Sequence, residues 1–259
     1  MKIGSLFSGI GGLELGLERA GLGTVAWQCE ADEFCRSVLA QHWPDVERFT
    51  DVREMHRPAD VDLICGGFPC QDLSAANVNG IGLAGPRSGL WFEMLRIIGT
   101  VLPSYVVIEN VHQTWRRWVP FVRRGLHELG YASVPVRVRA ADVGARHRRA
   151  RCFIVAWGPH AQQLPSQRHP AQAAADAHRQ RLEERRPDRV QEQPPASGCP
   201  EAWPGAGTAE PPLVQRVHGL PRDVARLRRQ QIKALGNSVV PPVAECVGYL
   251  IPYLTNLES

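Results

Sequence analysis

Two short runs in this 259-residue chain put reactive side-chain types just beyond apolar, strand-like segments. Val61 to Cys65 leads through Gly66-Gly67 into Phe68-Pro69-Cys70-Gln71. Val106-Val107-Ile108 delivers Glu109-Asn110-Val111 directly. A cysteine attacks as thiolate, and neighbouring guanidiniums favour that form over a free pKa of about 8.5. A carboxyl nearby adds a group able to hold or move a proton. A free cysteine taken alone is more often a small buried hydrophobe, but the loop setting of Cys70 favours a nucleophile.

A second set suits a nucleotide-like ligand. The run Ile3 to Phe7 ends in Ser8-Gly9-Ile10-Gly11-Gly12, where missing side chains let backbone approach a ligand closely. About twenty residues on, Val25 to Cys29 ends at Glu30, where doubly wound folds often set an acid against ribose hydroxyls. Asp51 follows the shorter run near Phe49 in the same way. A nicotinamide-dependent oxidoreductase would share these features, but the turn lacks the third glycine of the dinucleotide fingerprint, and Cys70 and Glu109 would have no role.

The elements that must position these residues follow from periodicity. Strand-like runs at Ile3 to Phe7, Val25 to Cys29, near Phe49, Val61 to Cys65, Tyr105 to Ile108, Val134 to Val138 and Cys152 to Trp157 alternate with amphipathic helical patterns, as in repeated βαβ units. The spacing predicts helices at Leu13 to Ala20, closed by Gly21, and at Leu90 to Leu102, closed by Pro103. The expected fold is α/β, Rossmann-like and doubly wound, with a mostly parallel sheet. Ligands of such sheets bind beyond the carboxyl ends of the strands, so Gly9, Glu30, Asp51, Cys70 and Glu109 should converge there.

Composition narrows the classes. Hydrophobic residues make up 44% and charged residues 22%, ordinary for a folded domain with a sizeable core. The seven cysteines are odd in number and lack the close pairing of a zinc or redox site, so free thiols and no structural metal are expected. No apolar run approaches the roughly 20 residues of a bilayer span, and no leader pattern is present, which predicts a cytoplasmic protein. Net charge is +4, yet every basic residue except Lys2 and Lys233 is arginine, and six arginines crowd the stretch Arg137 to Arg151. That cluster suits phosphates; a solvated basic face is the alternative. Residues 158 to 212 hold ten of the 21 prolines and show no period, so an irregular or partly disordered segment is expected there. Order returns with a helix from Val224 and a final apolar helix ending near Leu254.

Phe7 to Gly12, Pro69-Cys70-Gln71, Glu109-Asn110-Val111, His147 to Arg151 and Gly236 to Pro242 resemble, in order, the motifs of DNA cytosine-5 methyltransferases; Arg87-Ser88-Gly89-Leu90 resembles a further segment of that family. The resemblance implies a catalytic S-adenosylmethionine-binding domain over 1–157, a small target-recognition region over 158–216, and a returning segment over 217–259. It implies Phe7, Gly9, Gly11, Glu30, Asp51, Asn237, Ser238 and Val239 for the cofactor S-adenosylmethionine, and Cys70, Glu109, Arg149 and Arg151 for catalysis. Gln71, Ser74 and Arg87 become candidate contacts to double-stranded DNA on a glycine-containing lid spanning 71–88. His147 departs from the glutamine that usually opens the arginine motif. A monomer is expected, without membrane attachment, bacterial or phage-encoded, and paired with a restriction endonuclease of the same specificity. Two other readings keep the motifs: a cytosine-5 methyltransferase acting on tRNA, and a catalytically silent DNA-binding relative.

Overall fold

A computed structural model describes residues 1–69, 89–144, 149–159, 161 and 222–255. Its strands are β1 (Lys2–Leu6), β2 (Thr24–Cys29), β3 (Glu47–Phe49), β4 (Leu63–Gly66), β5 (Tyr105–Val111), β6 (Ala132–Arg139) and β7 (Ala150–Trp157). The helices are α1 (Gly12–Arg19), α2 (Glu33–His42), α3 (Gly89–Val101), α4 (Trp115–Glu128), α5 (Arg222–Asn237) and α6 (Pro241–Thr255). Cys70, Gln71, Ser74, Arg87, His147 and nearly all of the proline-rich segment lie outside the described residues.

The seven strands form one sheet in the order β3-β2-β1-β4-β5-β7-β6. β1 to β5 run parallel, while β7 is antiparallel to both β5 and β6. The mostly parallel sheet is as expected, with a reversal where β6 returns through a 3-10 turn at Ala140–Val143 rather than through a helix. Central parallel strands are covered on both faces and therefore read as continuous apolar runs. Accordingly Val106, Val107 and Ile108 are fully buried.

Period-two alternation sorts the sheet residues onto two cores. Val106, Ile108, Cys152 and Ile154 pack with Trp91, Met94 and Ile97 of α3 and Trp118, Val122 and Leu126 of α4. Tyr105, Val107, Phe153 and Val155 share the opposite core with Leu13 and Leu17 of α1 and Val243, Ala244, Val247 and Ile251 of α6. Each fully buried aliphatic side chain contributes on the order of 1.5–3 kcal/mol from removal of apolar surface from water.

Within the 26-residue stretch Arg229–Leu254 an 18-residue window reaches a mean hydropathy of 1.2, enough by length and composition alone to cross a bilayer. The chain breaks it at Ser238–Val240, between α5 and α6, and α6 buries its apolar face in the second core.

Candidate active site

The carboxyl ends of β1, β2, β4 and β5 open into one cleft of about 620 Å³. Phe7, Gly9, Glu30, Asp51, Glu109, Arg151, Asn237, Ser238 and Val239 all border it, as do Phe68 and Pro69 immediately before Cys70. Arg149 is not among the bordering residues, although its charge is felt at Glu109.

At the end of β1 the backbone turns through Phe7 (φ 57) and Gly9 (φ 57). A bulky residue in the left-handed region costs on the order of 1–3 kcal/mol and persists only where its surroundings fix it. Here Ser8 N–H donates to Cys29 O (3.1 Å) and Gly11 N–H to Ser8 O (3.0 Å). The Glu30 carboxylate also spans the turn, accepting from Gly9 N–H (2.7 Å) and from Asp32 N–H (2.8 Å), so it braces the glycine loop while bordering the cleft. Asp51 caps the 3-10 turn Val52–Glu54 through Arg53 N–H (2.9 Å).

Gly11 sits elsewhere. It precedes α1 with φ 83, and a Cβ there would lie 2.3 Å from the Trp43 ring, away from the cleft lining. There it lets the start of α1 pack against Trp43 and Leu39 at the end of α2.

Distant sequence meets at the next residue. A Cβ on Gly12 would fall 2.2 Å from Val239 O and 2.6 Å from Ser238 Oγ. One turn on, a Cβ on Gly16 would fall 2.4 Å from the Ala244 Cβ. Small residues on α1 thus let the start of α6 lie against it, closing Asn237-Ser238-Val239 over the end of the cleft. Lys233 adds an exposed ion pair to Asp32 (3.1 Å), worth little in water.

Alternation along β5 separates two adjacent residues. Asn110 faces the α3/α4 core, donating from Nδ2 to Phe68 O (3.0 Å) while its Oδ1 accepts from Val111 N–H (2.8 Å). The loop entering Cys70 is thereby fastened to β5. Glu109 faces the other side and pairs with Arg151 (Nε–Oε1 2.6 Å), both side chains almost wholly buried. β5 extends past Ile108 through Val111, and Arg151 lies opposite Val111 in β7, so Glu109 and Arg151 are diagonal cross-strand neighbours on one face.

This pair is close without hydrogen-bond alignment: Glu109 Oε1 and Arg151 Nε, with Arg149 Nε and Nη2, are buried and lack hydrogen-bond partners. Glu109 and Arg151 border the cleft, and such buried polar atoms suit a polar ligand, since leaving them unpaired costs roughly 1–3 kcal/mol each. Burial holds the Glu109 carboxyl up at about 7, against the opposing charges of Arg151 and Arg149. It is therefore partly protonated near neutrality.

Residue types alone did not disclose a further carboxyl. Glu14 on α1 is fully buried yet borders the cleft; its Oε1 accepts from Ser5 Oγ (2.5 Å), which also receives Ser8 Oγ–H (2.8 Å). Burial raises it to about 7 as well. Its helical position beside Leu13 and Leu17 is the signal that it faces the core.

A family model for C-5 cytosine-specific DNA methylases matches residues 1–194. Type II methyltransferase M2.BsuMI of Bacillus subtilis is 37% identical over 164 residues, covering 60% of this chain and 42% of its own length. Type II methyltransferase M.Sau3AI of Staphylococcus aureus is 32% identical over 183 residues, covering 61% and 43%. The chain thus spans less than half the length of these two curated relatives. The crystal structure of S. pombe Dnmt2 methyltransferase superposes with a TM-score of 0.53 at 20% identity, over 63% of this chain and 53% of that one, a likeness of fold. With the family match extending over well more than half of its length, the chain belongs to the C-5 cytosine-specific DNA methylase family.

Proposed function

We propose that this protein methylates C5 of cytosine in double-stranded DNA, with S-adenosylmethionine as donor and Cys70 as covalent nucleophile. The observation that carries this reading is the buried Glu109–Arg151 pair, set beside Phe68-Pro69 at one end of a cleft whose other end is formed by Phe7, Glu30 and Asp51.

The cleft fits the cofactor. Glu30 and Asp51 offer carboxylate acceptors at the ends of β2 and β3 for ribose hydroxyls, while the Phe7–Gly9 turn and Asn237-Ser238-Val239 border the same space. When bound, the sulfonium supplies an electrophilic methyl group. The protein's part is to make C5 nucleophilic. The Cys70 thiolate adds to C6, the C5=C6 electron pair shifts toward C5, and the proton of Glu109 goes to N3. After transfer, water or another base removes the C5 proton, the C5=C6 bond re-forms, Cys70 leaves and Glu109 regains its proton. Arg149 and Arg151 favour the thiolate and hold O2 with donors that otherwise lack hydrogen-bond partners.

Cytosine C5 and C6 are out of reach in a stacked duplex, so the base is flipped at a cost of a few kcal/mol. Gln71, Ser74 and Arg87 are assigned to the DNA contacts that hold it, and residues 158–216 to target reading. A cytoplasmic monomer completes the proposal, working beside a restriction endonuclease of the same specificity, a pairing that the Type II names of the relatives support. The test is to supply labelled S-adenosylmethionine with mixed-sequence duplex DNA and, separately, tRNA. Label recovered as 5-methylcytosine in DNA is the expected result; label confined to tRNA would replace the substrate, and none in either would indicate a silent relative.

A further inference from the structure

We propose that a ledge at the junction of β5 and α4, made by His112, Trp115 and Arg116 with Arg137 nearby, receives the DNA strand flanking the target base. The inference rests on the function proposed above and adds a contact surface to it. It begins from a contrast among surface arginines. Arg96, Arg124 and Arg139 are matched to Glu93 (2.8 Å), Glu128 (3.0 Å) and Asp142 (2.7 Å). Arg116 and Arg117 are exposed and have no acidic partner among the described residues, and Arg137 is exposed with Asp142, already paired to Arg139, as its acidic neighbour. Their positive charge is left for a ligand.

The aromatic part is equally unspent on the core. Trp115 is 37% exposed although Trp118, three residues on, is fully buried in the α3/α4 core. Its ring lies parallel to that of His112, at 6.1 Å and 9°, and the Arg116 guanidinium sits 5.9 Å from its centroid. The His112 Nδ1 is buried without a hydrogen-bond partner, and burial first, with the nearby charge of Arg137 second, depresses the titration of that imidazole. Trp118 Nε1–H donates to Val111 O (3.1 Å), which fixes the ledge to the end of the strand that carries Glu109.

Exposed aromatics interleaved with unpaired arginines provide stacking faces for bases and charge for phosphates, the two components of strand binding. Val111 borders the cleft, so the ledge starts one residue beyond the proposed base pocket. A strand whose target base enters beside Glu109 has its neighbouring sugar-phosphate within reach of Arg116 and Arg137. Stacking on Trp115 requires only that the exposed Arg116 side chain move from the ring to a phosphate.

The test measures binding of a fluorescein-labelled mixed-sequence duplex by anisotropy across a salt series, using the full chain with S-adenosylhomocysteine present. Arg116→Ala with Arg137→Ala should weaken binding about tenfold or more and flatten the log–log salt dependence by roughly one for each phosphate no longer neutralised. Trp115→Ala should weaken binding about tenfold with the salt slope unchanged. Affinity for S-adenosylhomocysteine, measured by calorimetry, should be unaltered in each variant. Wild-type DNA affinity and salt slope in all variants would overturn the ledge while leaving the methylation reading intact. A drop in DNA binding accompanied by an equal drop in cofactor affinity would overturn it too, as a structural defect. A wild-type chain that binds no duplex would overturn both readings.

Discussion

Glu14 and Glu109 are two buried carboxyls raised to about 7 by the same cause, removal from water, yet their surroundings differ. Glu14 lies in the seam where α1 meets the sheet and α6, with hydroxyls of Ser5 and Ser8 as its neighbours. Glu109 lies at the β5–β7 edge against two guanidiniums, one of which makes a close ion pair with it. A raised carboxyl alone therefore does not identify a catalytic acid. What separates them is the company of oppositely charged guanidinium donors that lack hydrogen-bond partners.

That contrast is most sharply tested at Glu109. Glu109→Gln should lower kcat/KM for DNA methylation by about a hundredfold or more, the scale of general acid catalysis. In the wild type, methylation should decline as pH rises above about 7, because the acid form is then depleted. The Gln variant should lack that decline, and an unchanged alkaline limb would remove the proton-donor role.

Glu14 should declare itself in stability instead. Its carboxyl is raised from 4.5 to about 7 in the folded state, so folding favours the protonated form. The associated stability is fully present below 4.5 and is lost as pH rises through about 7, amounting to about 3 kcal/mol. Glu14→Gln should flatten the pH dependence of the denaturant midpoint across that window. A variant with the same pH slope as wild type would show that another group is responsible.

Smaller effects probe how the two regions are held. Gly12→Ala should displace Ser238-Val239 and cost roughly 1–3 kcal/mol of stability, with weaker S-adenosylhomocysteine binding by calorimetry. Asn110→Ala removes the donor to Phe68 O, costing about 1 kcal/mol; it should reduce kcat more than it changes cofactor affinity. Equal reductions in both parameters would mean that Asn110 supports the whole cleft rather than the approach to Cys70.

The sheet could be read from sequence because its strands are apolar runs bounded by turns, and Tyr105 to Ile108 and Cys152 to Trp157 both lie within observed strands. Their ends were less legible. β5 continues through Glu109-Asn110-Val111 because β7 pairs with it to Val111, a long-range partnership that local composition does not carry. Phe7, Gly9, Glu30 and Asp51 meet in the cleft because strand ends converge in a parallel sheet. Gly11 closes the same turn through Ser8 O, while its positive φ serves the entry into α1 and its Cα faces Trp43 across a gap too small for a side chain. Glu14 passed unnoticed because an acid on a helix is usually solvated; only its place beside Leu13 and Leu17 marks it as buried. The Glu109–Arg151 contact needed the antiparallel register of β5 and β7, which no spacing within either strand reveals.

The most direct test of the central claim, a covalent bond from Cys70 to the target base, is a duplex in which cytosine is replaced by 5-fluorocytosine. Fluorine at C5 does not leave as a proton does, so elimination of Cys70 is blocked after methyl transfer. With S-adenosylmethionine present, the wild-type protein should form an adduct that survives denaturation, with the base mapped to Cys70 by mass spectrometry of the peptide, and Cys70→Ala should form none. An adduct that persists in Cys70→Ala, or methylation of ordinary DNA by a wild-type protein that never forms one, would contradict the mechanism.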